Sequence, residues 1–283
     1  MTTLNRRDFT TRTAIGGLAL AGGATTGAAA AESPGGASVP LEEVLDPALP
    51  IVDAHHHLWS RRTPNADPRD EYLLPQFLAE IDSSGHDVTD TICVETKQMS
   101  RAGAPAELAS LGETEFMNGI AAMSASGSYG PRRIASGLVA FIDLRLGDAV
   151  APLLEAHLGA ARSRLRGIRN SGAWDAWPVM GVALDPARAR WLEEPGMRRS
   201  LRILAAHDLV FESWLLHPQV PQLAALAAVV PEATLVLDHV GTPITTASGT
   251  LHHASAPRMP ASASSGTQPW IAAPIATPIS THF

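Results

Sequence analysis

What this chain has little of narrows its identity first. A single cysteine, Cys93, stands in 283 residues. One thiol excludes an internal disulfide framework and a cysteine-built zinc site. Its neighbours Thr91, Ile92 and Val94 read it as a buried structural thiol rather than a reactive one. Charged residues make up only 17%, sum to −7 and include no long basic run, which argues against nucleic acid as the main partner. The apolar run from Ala14 to Ala24 is too short and too rich in glycine for a membrane span. No Gly-rich phosphate loop follows the first apolar strand, so a nucleotide-binding open sheet is only the runner-up. No aspartate or glutamate occurs after Asp238. The 45% of hydrophobic residues that remain suffice for a globular α/β domain with a real core.

The amino terminus reads as an address. Arg6 and Arg7 precede Phe9, a weakly apolar run follows, and Ala28 to Ala31 offer an Ala-x-Ala cleavage site. This is the layout of an export signal of the twin-arginine type over residues 1–31, directing the chain to the periplasm or beyond. Residues 32–49 read as a linker, with Pro, Gly and Ser between Ser33 and Ser38.

The organising stretch is Ile51-Val52-Asp53-Ala54-His55-His56-His57-Leu58-Trp59. Ile51, Val52 and Ala54 predict a short buried strand. Side chains alternate along a strand, so His55 and His57 point one way and His56 the other. Two imidazoles on one side of a strand end can share a metal ion or a water. Downstream, apolar runs alternate with helical spacing: strands near 91–95, 134–144, 165–170, 209–214 and 234–239, and helices over 73–83, 107–125, 149–164, 196–207 and 220–229. Strict alternation implies a parallel sheet with right-handed crossovers. The polar residues His55, His57, Glu95, Arg169, Glu212, Trp214 and His239 fall at the carboxyl ends of the strands, where a (β/α) barrel keeps its active site.

Asp53 to Trp59, Gly167-Ile168-Arg169, Pro231 and Leu237-Asp238-His239-Val240-Gly241-Thr242-Pro243 together resemble the amidohydrolase superfamily. The match is to the amidohydrolase-related branch that includes sugar-lactone and pyrone-dicarboxylate lactonases, over residues 50–244. That resemblance implies a (β/α)8 TIM barrel of the metal-dependent hydrolase type. It implies His55, His57 and His239 as catalytic residues and as ligands of a divalent metal such as zinc or manganese. In some lactonases such residues hold substrate and water with no metal. Arg169, Glu95 and Trp214 are the expected substrate-binding residues, with a small lactone or carboxylic acid as substrate. For Glu95 a structural carboxylate bonded to backbone is the competing reading, and His217 is a weaker candidate from a loop. Lactone hydrolysis is the expected reaction. A non-oxidative decarboxylase of the same fold and a catalytically inactive truncated barrel are the alternatives.

The chain departs from that pattern after Ile244. Residues 245–283 are rich in Ala, Ser, Pro and Thr without strand or helix period. The family's catalytic aspartate at the end of the eighth strand has no counterpart there. The expectation is a barrel of about six β/α units followed by a low-complexity, disordered or out-of-frame tail. Such a barrel keeps two open edges and dissolves poorly alone.

Overall fold

Alternating side chains in Pro50–His56 form β1, one edge of a six-stranded sheet in which every strand runs parallel to its neighbour. The computed structural model describes residues 43–60, 71–176 and 184–243. The expected leader, nearly all of the linker, most of the loop after Ser60 and the tail at 245–283 lie outside the described residues. Two compact units divide the chain, Met1–Glu43 and Val44–Phe283, and all that follows concerns the second.

After β1, the short strands β2 (Trp59–Ser60) and β3 (Glu71–Tyr72) pair antiparallel. Then α1 (Leu74–Ser84) leads to β4 (Asp87–Val94), α2 (Leu111–Ala125) to β5 (Arg133–Ala140) and α3 (Val150–Ala161) to β6 (Leu165–Ser171). Next α4 (Pro195–Ala206) leads to β7 (Val210–Trp214), and α5 (Val220–Val229) to β8 (Leu235–Leu237). The sheet order β1-β4-β5-β6-β7-β8 follows the chain, with a helix between each pair. This is the winding of a (β/α) barrel, here six strands of an incomplete one, rather than the reversal of order that marks a doubly wound sheet. No helix of the described residues is long and apolar enough to cross a membrane.

Period-two alternation sorts the sheet into two faces. Cys93, Leu138, Ala140, Ile168 and Phe211 point to the helices and join Met117, Leu154 and Leu201 in the main core. Ile92, Val94 and Val139 form a small apolar floor on the opposite, inner face. Beyond that floor, toward the strands' carboxyl ends, the inner face turns polar with Arg169 and Glu212, which are register partners on β6 and β7. Cys93 is fully buried and its thiol is pushed far up by desolvation, in keeping with a structural role.

Two expectations need correction. Val52 and Ala54 are exposed, not buried, because among the described residues β1 has a paired neighbour along one side only and α1 reaches it at His56, through Phe77. The strand expected over 234–239 ends at Leu237. Asp238–Gly241 is instead a 3-10 turn in which His239 (φ 51°) and Val240 (φ 55°) are left-handed, as is Thr242 (φ 42°). Left-handed backbone at non-glycine residues costs on the order of 1 kcal/mol or more each and clusters at functional sites.

Two buried polar groups in the helical layer escape sequence reading. His157 on α3 bonds Thr114 Oγ1 on α2 through Nδ1 (2.8 Å), with Ser110 Oγ 3.4 Å from Nε2. Burial lowers its pKa to about 4. The unfolded chain therefore takes up a proton near pH 6.5 that the folded chain refuses. The histidine's contribution is present above pH 6.5 and is lost as pH falls toward 4. Between pH 7.5 and 5 that loss is about 2 kcal/mol by linkage. In His157→Gln the difference in unfolding free energy between those two pH values shrinks by about that amount, as urea titrations at both would read. An unchanged difference places the proton uptake elsewhere.

The second group is Glu113, near the start of α2. Its buried carboxylate accepts backbone N–H bonds from Thr96 (2.8 Å), Lys97 (3.1 Å) and Gln98 (3.2 Å), and the Thr96 hydroxyl (2.9 Å). This clamp fixes the loop after β4 and holds Lys97 at φ 60°.

Candidate functional site

At the carboxyl end of β1 the strand delivers its imidazoles to opposite faces. His56 turns to the helical side, stacks on Phe77 at 4.1 Å and shares a hydrogen bond with the Thr91 hydroxyl through Nε2 (2.8 Å). Burial lowers its pKa to about 3, so it is a neutral core residue. His55 and His57 meet on the inner side, their Nε2 atoms 3.2 Å apart. His57 Nδ1 lies 2.8 Å from Val94 O. A carbonyl only accepts, so Nδ1 carries the proton and Nε2 presents its lone pair to the site. Desolvation lowers the pKa of both rings, that of His55 to about 4, so both are neutral near pH 7.

The left-handed turn after β8 sets the other side. It buries Asp238 and leaves His239 at the surface, its ring centroid 4.9 Å from that of His55. One donor atom each from His55, Asp238 and His239 can be chosen so that all lie within 4.8 Å of one another. Residues nearly two hundred positions apart thus share one rim.

Beneath them lies a buried charge cluster. Arg169 donates from Nε to Asp238 Oδ2 (2.7 Å) and from Nη1 to Glu95 Oε1 (3.3 Å). Glu212 Oε2 is 3.8 Å from His55 Nδ1. Desolvation raises the pKa of Glu95 to about 7, against the pull of Arg169. Desolvation, with Asp238 second, raises that of Glu212 to about 8. One oxygen on each of Glu95, Glu212 and Asp238 is buried without a hydrogen-bond partner among the described residues. Three orphan carboxylate oxygens beside neutral imidazoles make a pocket short of positive charge, the setting that a divalent cation relieves.

The expected residues fall as follows. His55, His57 and His239 come together. Arg169 reaches the same place, but its fork is held by two protein carboxylates. Glu95 is buried in that pair and is not the backbone-binding carboxylate; Glu113 is. Trp214 is half-buried, donates from Nε1 to Thr242 Oγ1 (2.9 Å) and has its ring 6.0 Å from the Arg169 guanidinium carbon. His217 sits beside Gly241 and is not among the three clustered donors. Asp238 and Glu212 are the site residues that sequence reading did not assign. The Asp238-His239 pair was the available signal for the first.

No family model matches the chain. It is 25% identical over 194 residues to L-fucono-1,5-lactonase of Burkholderia ambifaria, a match covering 68% of this chain and 57% of that one. It is 26% identical over 209 residues to an uncharacterized protein, y4mH, of Sinorhizobium fredii, covering 68% and 63%. Among solved structures, an amidohydrolase from Burkholderia multivorans with bound zinc is 25% identical, with 68% of this chain and 58% of that one covered and a TM-score of 0.46. The chain thus spans about three fifths of the length of the curated relatives it matches.

Proposed function

We propose that this chain, which is similar to a lactonase of the amidohydrolase kind, is a hydrolase of small lactones. The observation that carries the reading is the convergence of His55, His57, Asp238 and His239 at the carboxyl rim of a parallel sheet. Two imidazoles and one carboxylate with a further open position form the donor set of a catalytic divalent-metal site. His55, Asp238 and His239 would hold the ion, and the orphan oxygen of Asp238 fits that role. Such an ion, when bound, supplies Lewis-acid polarisation of an ester carbonyl and a more acidic water.

The protein's own groups account for the rest. His57 Nε2 carries a lone pair aimed into the site, so it accepts the proton of an attacking water. Val94 O holds the ring in that tautomer and steadies the imidazolium as it forms. Glu212, protonated near neutrality, can donate to the ring oxygen as the ester opens. Arg169 holds Asp238 in place through a charge-assisted hydrogen bond rather than gripping substrate.

Proton release from a panel of aldono-1,5-lactones, with spontaneous ring opening subtracted, tests the proposal. Wild-type protein accelerates opening of at least one lactone, and His57→Ala lowers that rate at least a hundredfold, within the 10²–10⁴ range of general base catalysis. Equal rates in the two proteins contradict it.

A further inference from the structure

His239 reaches the rim on backbone that cannot hold itself there. His239, Val240, Gly241 and Thr242 are consecutive left-handed residues, at φ 51°, 55°, 72° and 42°. Only the glycine adopts that conformation freely, and the β-branched Val240 and Thr242 adopt it least readily. A backbone bond from Thr242 N to His239 O (2.9 Å) spans the run. The His239 ring lies edge-on to that of His55, and among the described residues it makes no hydrogen bond. Its place is set by the backbone on either side, and that backbone is fixed by contacts from outside the turn.

At the start of the turn, Asp238 is tied to Arg169 (2.7 Å). In the middle, Gly241 packs so close to α5 that a Cβ there would lie 2.8 Å from Val220 Cγ2. At the end, Thr242 Oγ1 accepts the indole N–H of Trp214 (2.9 Å). His239 lies between the first pin and the last. Trp214 is itself a firm anchor. It closes β7 opposite Ser171, and its carbonyl accepts from Gly172 N (3.0 Å). Its ring packs on the buried Ala173 and Leu216. Tryptophan has one polar hydrogen, and here it goes to Thr242 instead of waiting for a substrate hydroxyl.

We propose that Trp214 is a positioning residue, whose bond to Thr242 locks the left-handed turn and so holds His239 beside His55. The assignment rests on the donor cluster proposed above and deepens it. Trp214 is not one of the donors; it acts on His239 through three residues of backbone. Breaking its bond frees one end of the turn, and His239 then spends part of its time away from His55. His55 stays on β1 and Asp238 stays with Arg169. Metal affinity falls by the fraction of time lost, in the range of ten- to a hundredfold that outer-shell partners of metal ligands carry.

Trp214→Phe keeps a ring and removes the N–H, Thr242→Val removes the acceptor, and Thr242→Ser keeps it. Hydrogen exchange of the metal-free full chain, followed by NMR, reads the turn at the amide of residue 242. Trp214→Phe and Thr242→Val each speed that exchange about tenfold or more. The double variant goes no further than either alone, because all three break one bond. Exchange at Phe211 N, bonded to Thr234 O (2.9 Å), stays within about twofold; a general loss of structure would speed both amides. Cobalt(II) titration of the same proteins then shows about tenfold weaker binding in both single variants, with Thr242→Ser within about threefold of the wild type. Unaltered exchange at residue 242 in either single variant, faster exchange at both amides, or unaltered cobalt affinity once the turn has loosened would each overturn the proposal. A wild type that takes up no cobalt, with exchange at residue 242 responding as expected, would sink the donor-cluster reading and uphold the lock on the turn.

Discussion

Arg169→Met loses about 3–5 kcal/mol of stability, enough to unfold a domain of ordinary marginal stability. The guanidinium is buried between Asp238 and Glu95, and no other cation is paired with either carboxylate among the described residues. A buried pair often contributes little net stability, because desolvating two charges offsets their attraction. Removing one partner is different. It leaves Asp238 beside Glu212 and Glu95, three acids on one apolar floor. The variant's remedy is to bind protons. Its carboxyl pKa values then lie above their unfolded values, so stability is greatest at low pH and is lost as pH rises through the folded values. Urea titrations of Arg169→Met in chelator regain stability as pH falls from 8 to 6, and Asp238→Asn on the same background recovers part of the deficit. A variant as stable as the wild type at pH 8 would mean that the cluster is not desolvated as described.

Divalent-metal affinity falls at least a hundredfold in His55→Ala, Asp238→Asn and His239→Ala. Each variant removes one of three donors, a larger loss than the 10–100-fold that outer-shell partners carry. The three are brought together by unlike means. His55 comes from strand alternation. Asp238 and His239 come from the left-handed turn, which sends adjacent residues to a buried and an exposed position. Thr91→Val, which strips the partner from His56 on the helical face, leaves affinity within about threefold, because His56 points away from the site. Dialysis against zinc with an indicator reads all five proteins. A Thr91→Val loss as large as that of His55→Ala would assign the effect to folding instead.

The parts legible in the sequence were those that depend on period. The 2.0-residue alternation in Asp53–His57 correctly separated His56 from its neighbours. The strand–helix order gave the parallel sheet, and Leu74, Phe77 and Ile81 at helical spacing do line the core. The parts that were not legible depend on long-range packing. Val52 and Ala54 are apolar like any core strand, and only the sheet order shows that β1 is an edge. Asp238 looks like the end of a strand until the turn at His239–Thr242 sends it inward to Arg169. Glu113 is one of several acids near α2, and nothing in its neighbours announces that it clamps three backbone amides of another loop. Arg169 was expected to hold a substrate carboxylate or carbonyl; that the chain itself brings Glu95 and Asp238 to its guanidinium was not legible, because both partners arrive from distant strands.

The central claim is that the ends of β1 and β8 make one donor cluster. Cobalt(II) titration followed by visible absorption addresses it most directly, because band position and intensity report donor type and coordination number. The account predicts saturation at one equivalent, with the intense absorption of a four- or five-coordinate nitrogen–oxygen site, abolished by His55→Ala and equally by His239→Ala. Spectra that survive both substitutions, or cobalt that stays in its pale hexaaqua form with the wild type, would contradict it.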